Sequence, residues 1–248
     1  MQKIEKPHSK GIRLNRYISL CGIGSRRRCE QFILDGRVTV NQSTVTELFT
    51  VVKKGEEIRL DGEIINPKKP VYILMNKPAG TLTTLHDPRG RKHVGQLLKR
   101  VPFVKPVGRL DMNTTGVLLF TNDGELLYRL THPKYQIVRT YVVTIAGIVS
   151  FNVRNIIEKG VELGDGKIAR VKVLKILHRK TQSILLLELT EGMYREIRRV
   201  FKILGYKVKA LDRISYAGIG YGALERGKWR YLSSSEIIKL KEICNFKK

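Results

Sequence analysis

Two prolines three residues apart, in Asn66-Pro67-Lys68-Lys69-Pro70, divide the chain. Each fixes its own φ, removes a backbone donor and pushes the preceding residue out of the helical region, so no regular element is expected to run through the segment. The 248 residues are therefore expected to form two unequal domains, 1–66 and 67–248. Up to Asn66 there are 12 basic and 8 acidic side chains, a balance of +4, and beyond it 35 and 14, a balance of +21. Most of the positive field belongs to the larger domain.

In the smaller part, Leu14, Tyr17, Ile18 and Cys21 recur at helical spacing, and Gly22 with Gly24 stops that helix. Ser25 is placed to cap a second helix, with Cys29, Phe32 and Ile33 on its buried face and Gly36 at its end. Short strands are expected at 38–41 and 57–60. Arg26, Arg27 and Arg28 fall in the first turn of the second helix, where the macrodipole disfavours a cation by about 0.3–1 kcal/mol each. A solvated basic face is one account of them. A phosphate backbone is the other, and Arg13 and Arg16, three apart on the first helix, extend the same surface.

Beyond the prolines, strand-like runs at 71–75, 117–121, 141–146, 169–177 and 183–189 are interrupted by helical stretches at 125–130, 194–204 and 235–243. Several strands follow one another without a helix between them. The pattern predicts an α+β fold, a small N-terminal α/β module followed by a larger, mainly antiparallel mixed sheet, rather than a doubly wound one.

Lys plus Arg number 47 against 22 acids, a net charge of +25, which draws a chain toward a polyanion. A membrane surface is the competing polyanion. There is no apolar run of membrane-spanning length, and the opening MQKIEKPHSKGIR is too polar for a signal peptide, so a cytoplasmic protein without membrane association is expected. Cys21, Cys29 and Cys244 form no CxxC pair and are expected in the core. The sequence has no GxGxxG, no P-loop and no cluster of metal-ligand spacing, so neither cofactor nor metal is expected.

The segment Gly108-Arg109-Leu110-Asp111-Met112-Asn113-Thr114-Thr115-Gly116 runs into Val117-Leu118-Leu119-Phe120-Thr121-Asn122-Asp123-Gly124. Glycines bracket a polar loop that feeds an apolar strand, a setting in which Asp111 is both held and reachable as a nucleophile or base. An aspartate beside Asn and Thr is also an ordinary turn residue. Further on, Ile197, Val200, Phe201 and Leu204 form one face of a helix and Arg195, Arg198, Arg199 and Lys202 another, which suits a basic binding face or a plain amphipathic surface helix.

GRLDMNTTG followed by LLFTNDGEL resembles the signature of the pseudouridine synthases. Arg139-Thr140-Tyr141-Val142-Val143, TEGMYREIRRVF at 190–201, Leu211-Asp212-Arg213-Ile214 and Gly227-Lys228-Trp229-Arg230 extend the likeness from about residue 70 to 232. Ile12-Arg13-Leu14-Asn15-Arg16-Tyr17, Ser25-Arg26-Arg27, Gly36-Arg37-Val38-Thr39-Val40-Asn41 and Lys53-Lys54-Gly55-Glu56 resemble, over about 11–65, the small RNA-binding module named after a small-subunit ribosomal protein. Together these segments resemble the branch of the family that acts on ribosomal RNA.

The resemblance implies that Asp111 is the essential carboxylate. It would either add to carbon 6 of the uracil ring or trap the sugar once the glycosidic bond breaks, after which the base rejoins the ribose through carbon 5. It makes Arg198 the partner of Asp111, Tyr141 the ring that stacks on the target base and Arg109 the residue that enters the helix the uridine leaves. A plain phosphate contact is the alternative for Arg109. Arg195 and Arg199, with Arg13, Arg16, Arg26 and Arg27, are the further RNA contacts expected. Arg139 stands where a lysine is usual, Met193 where a basic residue is common, and Arg195-Glu196 where the pair more often contains Asn, His or Gln; all are expected to face RNA. RISYAGIGYGALERGKWRYL is closer to the enzymes of the large-subunit RNA than to that of the small-subunit RNA. The reading is thus a cofactor-free, monomeric ribosomal RNA pseudouridine synthase. A small-subunit enzyme, a non-catalytic assembly factor and a DNA-binding regulator are its alternatives.

Overall fold

Both N-terminal helices form, α1 over Leu14–Leu20 and α2 over Arg26–Leu34, in a computed structural model that describes residues 11–99, 101 and 103–245. Gly22 at φ +80° ends α1, a left-handed conformation that costs glycine little. Ser25 caps α2, its hydroxyl accepting the Arg28 N–H at 3.2 Å. Leu14, Ile18, Cys29 and Ile33 pack with Val38, Val52 and Ile58. Ile12–Arg13 pairs with Val51–Val52, and an antiparallel sheet runs Ser43–Thr44, Val38–Val40, Ile58–Leu60, Glu63–Ile64. Arg13, Arg16, Arg26 and Arg27 are all exposed on this unit.

The chain separates into two compact units, Met1–Pro70 and Val71–Lys248. The first keeps residues 66–70, because the Lys68 N–H donates to Leu20 O at 3.0 Å. The three cysteines are buried and form no disulfide among the described residues, and burial pushes the Cys21 thiol up to about 12 and that of Cys244 up to about 11, so both are inert packing groups.

The second unit is built on strands β1 (Tyr72–Lys77), β2 (Thr115–Thr121), β3 (Arg139–Ala146), β4 (Lys172–Arg179), β5 (Gln182–Leu189), β6 (Val208–Tyr216) and β7 (Trp229–Tyr231). They lie in the order β4-β5-β3-β6-β2-β1-β7, with Lys105–Pro106 added beside β2 and Ile219–Gly220 beside β6. Every pairing is antiparallel except β6 with β2, where Asp212 lies opposite Thr115 and Arg213 opposite Gly116. The fold is the α+β arrangement expected from the sequence. Helices are α3 (Val94–Leu97), α4 (Gly124–Thr131), α5 (Val153–Lys159), α6 (Glu196–Ile203) and α7 (Ser234–Ile243). β1 and β2 are apolar on both faces because both are covered. Leu74, Val117 and Leu119 pack with Leu126, Leu130 and Leu240, while Ile73, Met75, Leu118 and Phe120 pack with Val94 and Leu98. α5 and α6 cover β3 and β5 through Val153, Ile157, Ile197 and Phe201.

Three details differ from the sequence expectation. The strand expected at 169–177 is broken: Ile168–Ala169 pairs with Val161–Glu162, and β4 begins only at Lys172. The helix expected at 194–204 begins at Glu196, because Arg195 adopts φ 48° and turns the chain. α3, α5, β6 and β7 were not foreseen.

The start of α7 carries the first testable consequence. The Ser233 hydroxyl accepts the Glu236 N–H, the Glu236 carboxylate accepts the Ser233 N–H at 2.9 Å, and Arg230 forks onto both Glu236 oxygens at 2.7 Å. Arg230 holds the Glu236 carboxyl down at about 2, against its ordinary 4.5. Glu236→Ala is expected to cost about 1–2 kcal/mol in urea unfolding. Because the folded value is the lower one, the contribution is complete above the unfolded value of 4.5 and lost as pH falls through about 2.

Candidate active site

The loop that carries Asp111 is fixed by its backbone. Lys77, the last residue of β1, is fully buried, and its ammonium donates to Pro78 O at 3.1 Å, Asp111 O at 3.1 Å, Met112 O at 3.0 Å and Thr114 O at 2.9 Å. Thr83 adds a second clamp, its hydroxyl donating to Leu110 O at 2.7 Å and accepting the Leu110 N–H at 3.2 Å. The Thr81 N–H bonds Met112 O at 3.2 Å. Burial pushes Lys77 down to about 8, against the opposing pull of Asp111, and nearby Arg213 adds to the depression.

Where the loop enters β2, Gly116 has φ +104°, and a Cβ there would meet Arg213 O at 2.2 Å. The parallel contact between β2 and β6 is therefore open only to glycine. Gly116→Ala is expected to destabilise the protein by about 3 kcal/mol or more through strain and clash together, with conversion of substrate falling in step, as thermal unfolding and activity measured side by side will show.

With its backbone held, the Asp111 side chain turns into a cleft of about 300 Å³, lined also by Arg109, Arg139, Tyr141, Arg195, Arg198 and Arg213. The carboxylate is 28% exposed, and one oxygen lies 3.5 Å from Arg195 Nη1 and 3.7 Å from Arg198 Nε. The α6 side of the cleft is set by Glu196, whose buried carboxylate accepts the Met193 N–H at 3.0 Å and is raised above its ordinary range by desolvation. Burial, and next Arg195, depress the Arg198 guanidinium, while Asp111 pulls it back up. A partly exposed carboxylate with two cations on one oxygen is oriented, and its other oxygen is left for a substrate.

Tyr141 forms the facing wall. It follows a β-bulge between Thr140 and Tyr141, an irregularity of the kind that re-aims a side chain beside a site. Its hydroxyl accepts from Arg213 Nη1 at 3.5 Å. On the other side of Asp111 a larger groove of about 620 Å³ is lined by Thr83, His86, Arg91, Arg109, Tyr194 and Arg195. Arg109 and Asp111 border both spaces.

Asp111, Tyr141, Arg198, Arg109 and Arg195 thus line one cleft. Arg199 does not join them: its guanidinium bonds Leu163 O at 2.6 Å and Asp165 at 2.9 Å. Two of the positions expected to face RNA are instead buried. Arg139 bonds Thr190 O at 2.8 Å and Glu191 O at 3.0 Å, bracing the turn before α6, and Glu196 lies beneath that turn. Lys77 and Arg213 are not among the site residues expected from the sequence: Lys77 falls just beyond the strand expected at 71–75, and Arg213 enters only as part of the segment Leu211-Asp212-Arg213-Ile214.

The description RNA pseudouridylate synthase matches residues 71–202, and the description S4 domain matches residues 12–58. Over 236 residues, 94% of this chain and 97% of the other, the protein is 38% identical to ribosomal large subunit pseudouridine synthase B of Bacillus subtilis (strain 168). It is 39% identical over 234 residues to an uncharacterized RNA pseudouridine synthase of Aquifex aeolicus (strain VF5), covering 92% of this chain and 93% of that one. A crystal structure of a pseudouridylate synthase superposes with a TM-score of 0.66 at 28% identity, over 92% of this chain and 99% of that one. The matched span contains the loop of Asp111, the strand of Tyr141 and the helix of Arg198, and on these grounds the chain belongs to the RNA pseudouridylate synthase family.

Proposed function

We propose that this protein isomerises a uridine of ribosomal RNA to pseudouridine, with the large-subunit RNA as substrate, through the carboxylate of Asp111. The observation that carries the reading is the Asp111 carboxylate itself, clamped by its backbone, bordered by Arg195 and Arg198 on one oxygen and facing Tyr141 across the cleft. Tyr141 stacks on the base, Arg198 orients the carboxylate, and Arg109, on the border between the two grooves, fills the helix that the uridine leaves. The choice of large-subunit RNA rests on the names of relatives such as the Bacillus subtilis protein. In this reading residues 67–248 are the catalytic domain, residues 1–66 grip RNA phosphates through Arg13, Arg16, Arg26 and Arg27, and Arg195 adds a contact at the cleft. The enzyme acts as a cytoplasmic monomer, and its RNA affinity falls steeply with salt. Among the described residues no helix is long and apolar enough to cross a membrane.

The test is tritium release from small- and large-subunit RNA transcripts labelled at carbon 5 of uridine, with wild type and Asp111→Ala. Release from the large-subunit transcript by wild type alone is the expected result. Release from the small-subunit transcript instead reassigns the substrate. Tight binding with no release from either RNA or from assembly particles replaces the enzyme by an assembly factor.

A further inference from the structure

Arg213 is a buried cation without a carboxylate. Its side chain is 2% exposed and lines the cleft beside Asp111 and Tyr141. Nε donates to Val117 O at 2.7 Å, Nη1 reaches the Tyr141 hydroxyl at 3.5 Å, and the guanidinium carbon stands 4.8 Å from the centre of the Tyr216 ring. Nη2 has no hydrogen-bond partner, and among the described residues no carboxylate lies within ion-pair distance of Arg213. Its neighbour Asp212 is turned to the other side of β6, where Thr115, Tyr221 and Arg226 hold it. The buried ammonium of Lys77 adds a second positive charge close by. Burying a cation is costly unless it is paired, and an orphaned buried N–H adds to that cost, so a purely structural brace would ordinarily be apolar or ion-paired.

We propose that the Arg213 guanidinium, acting across the Tyr141 hydroxyl, stabilises the negative charge that develops on the uracil ring while its bond to the ribose is exchanged. The inference rests on the function proposed above and adds to it the group that bears the charge opposite to Asp111. Both first steps open to the aspartate load the ring with an electron pair. If the carboxylate adds to carbon 6, the pair of the C5–C6 double bond moves toward C5 and the O4 carbonyl. If the C1′–N1 bond breaks first, its pair stays with the ring, spread over N1, O2 and O4, and the carboxylate closes on C1′. In either case the bond to the aspartate is broken again: C5 bonds C1′, the carboxylate leaves C6 or C1′ with its electron pair, the C5 proton leaves to solvent and N1 takes one up, so no oxidant or co-reactant is needed. A fixed cation that is itself buried opposes such a charge more effectively than mobile solvent does.

Arg213 acts through the field and through Tyr141, so a loss of rate alone would not separate it from a brace. Leaving-group chemistry does. Arg213→Gln and Arg213→Lys are compared with wild type in single turnover on the ribosomal RNA transcript that wild type converts, made once with uridine and once with 5-fluorouridine. Loss of the N-linked nucleoside is read by chromatography after nuclease digestion, with RNA affinity and thermal unfolding measured alongside. The fluorinated ring carries negative charge more readily by itself. The expected result is a fall of about 100-fold for Arg213→Gln on the uridine RNA, shrinking to about tenfold on the fluorinated RNA, with unchanged RNA affinity and with Arg213→Lys between the two. Should the glutamine variant not fold, the lysine variant carries the same comparison. Equal losses on both RNAs, or no loss on either, overturn the inference while leaving the function standing. No conversion by wild type overturns both.

Discussion

Asp111→Asn is expected to lower the single-turnover rate on the target uridine by at least about 10⁴-fold, the range seen when an essential nucleophile or base is removed. The substitution keeps the shape of the side chain and changes only its charge. The loop should not move, because it is anchored through main-chain oxygens by Lys77 and through Leu110 by Thr83, none of which involves the carboxylate. Stability should change by less than about 1 kcal/mol, since the pairs with Arg195 and Arg198 are long, at 3.5 and 3.7 Å, and partly open to solvent. RNA affinity should hold or tighten slightly, because a negative charge facing a polyanion has been removed. Rates within tenfold of wild type in a folded, RNA-binding variant would move the chemistry to another carboxylate, and Glu196, desolvated beneath the cleft, is the first to examine.

What was legible in the sequence was whatever is encoded locally. Ser25 caps α2 because the cap and the N–H it accepts are three residues apart. The face of α6 that carries Ile197, Val200 and Phe201 is buried as its spacing dictates. Asp111 stood out through the likeness of GRLDMNTTG to the family signature, since its bracketing glycines and contiguous apolar strand alone leave an ordinary turn residue open. The features that escaped are those whose partners lie far along the chain. Lys77 reads as the polar end of a strand at the edge of a turn, and its acceptors Asp111, Met112 and Thr114 follow 34 to 37 positions later. Arg139 reads as a surface charge, but the carbonyls that it braces are at 190 and 191. β7 is three residues long and exists because Trp229 finds Met75 across the sheet. α5 begins at Val153 after an N-cap, Asn152, that makes no side-chain cap bond, and it runs only seven residues, too short for periodicity to declare itself. The left-handed turn of Arg195, which shortens α6 and brings the guanidinium to Asp111, has no glycine or asparagine to announce it.

Lys77→Met is expected to lower turnover about 100-fold with little change in stability. Methionine has nearly the same length and fills the space, but it donates nothing. Asp111 O still accepts the Thr114 N–H and Met112 O still accepts the Thr81 N–H, whereas Pro78 O and Thr114 O lose the bond that Lys77 made to them. Two acceptors left unmet cost about 1–3 kcal/mol each. Against that, the variant no longer buries a charge: Lys77 is pushed from 10.5 down to about 8 in the folded protein, a penalty on the order of 3 kcal/mol at neutral pH. The two nearly cancel in stability. They do not cancel in function, because the cost falls on the loop that places Asp111, and a displacement of about 1 Å at a reacting group is enough for a 100-fold loss. The wild-type pH dependence supplies the control. Between about 8 and 10.5 the unfolded chain holds the Lys77 proton and the folded chain has released it, so unfolding takes up a proton and this group adds stability as pH rises through that window. Activity should run the other way, falling above pH 8 as the neutral amine loses one of its donors to the loop. In Lys77→Met both trends should vanish. A variant that keeps full activity would mean that Thr81 and Thr83 alone hold Asp111 in place.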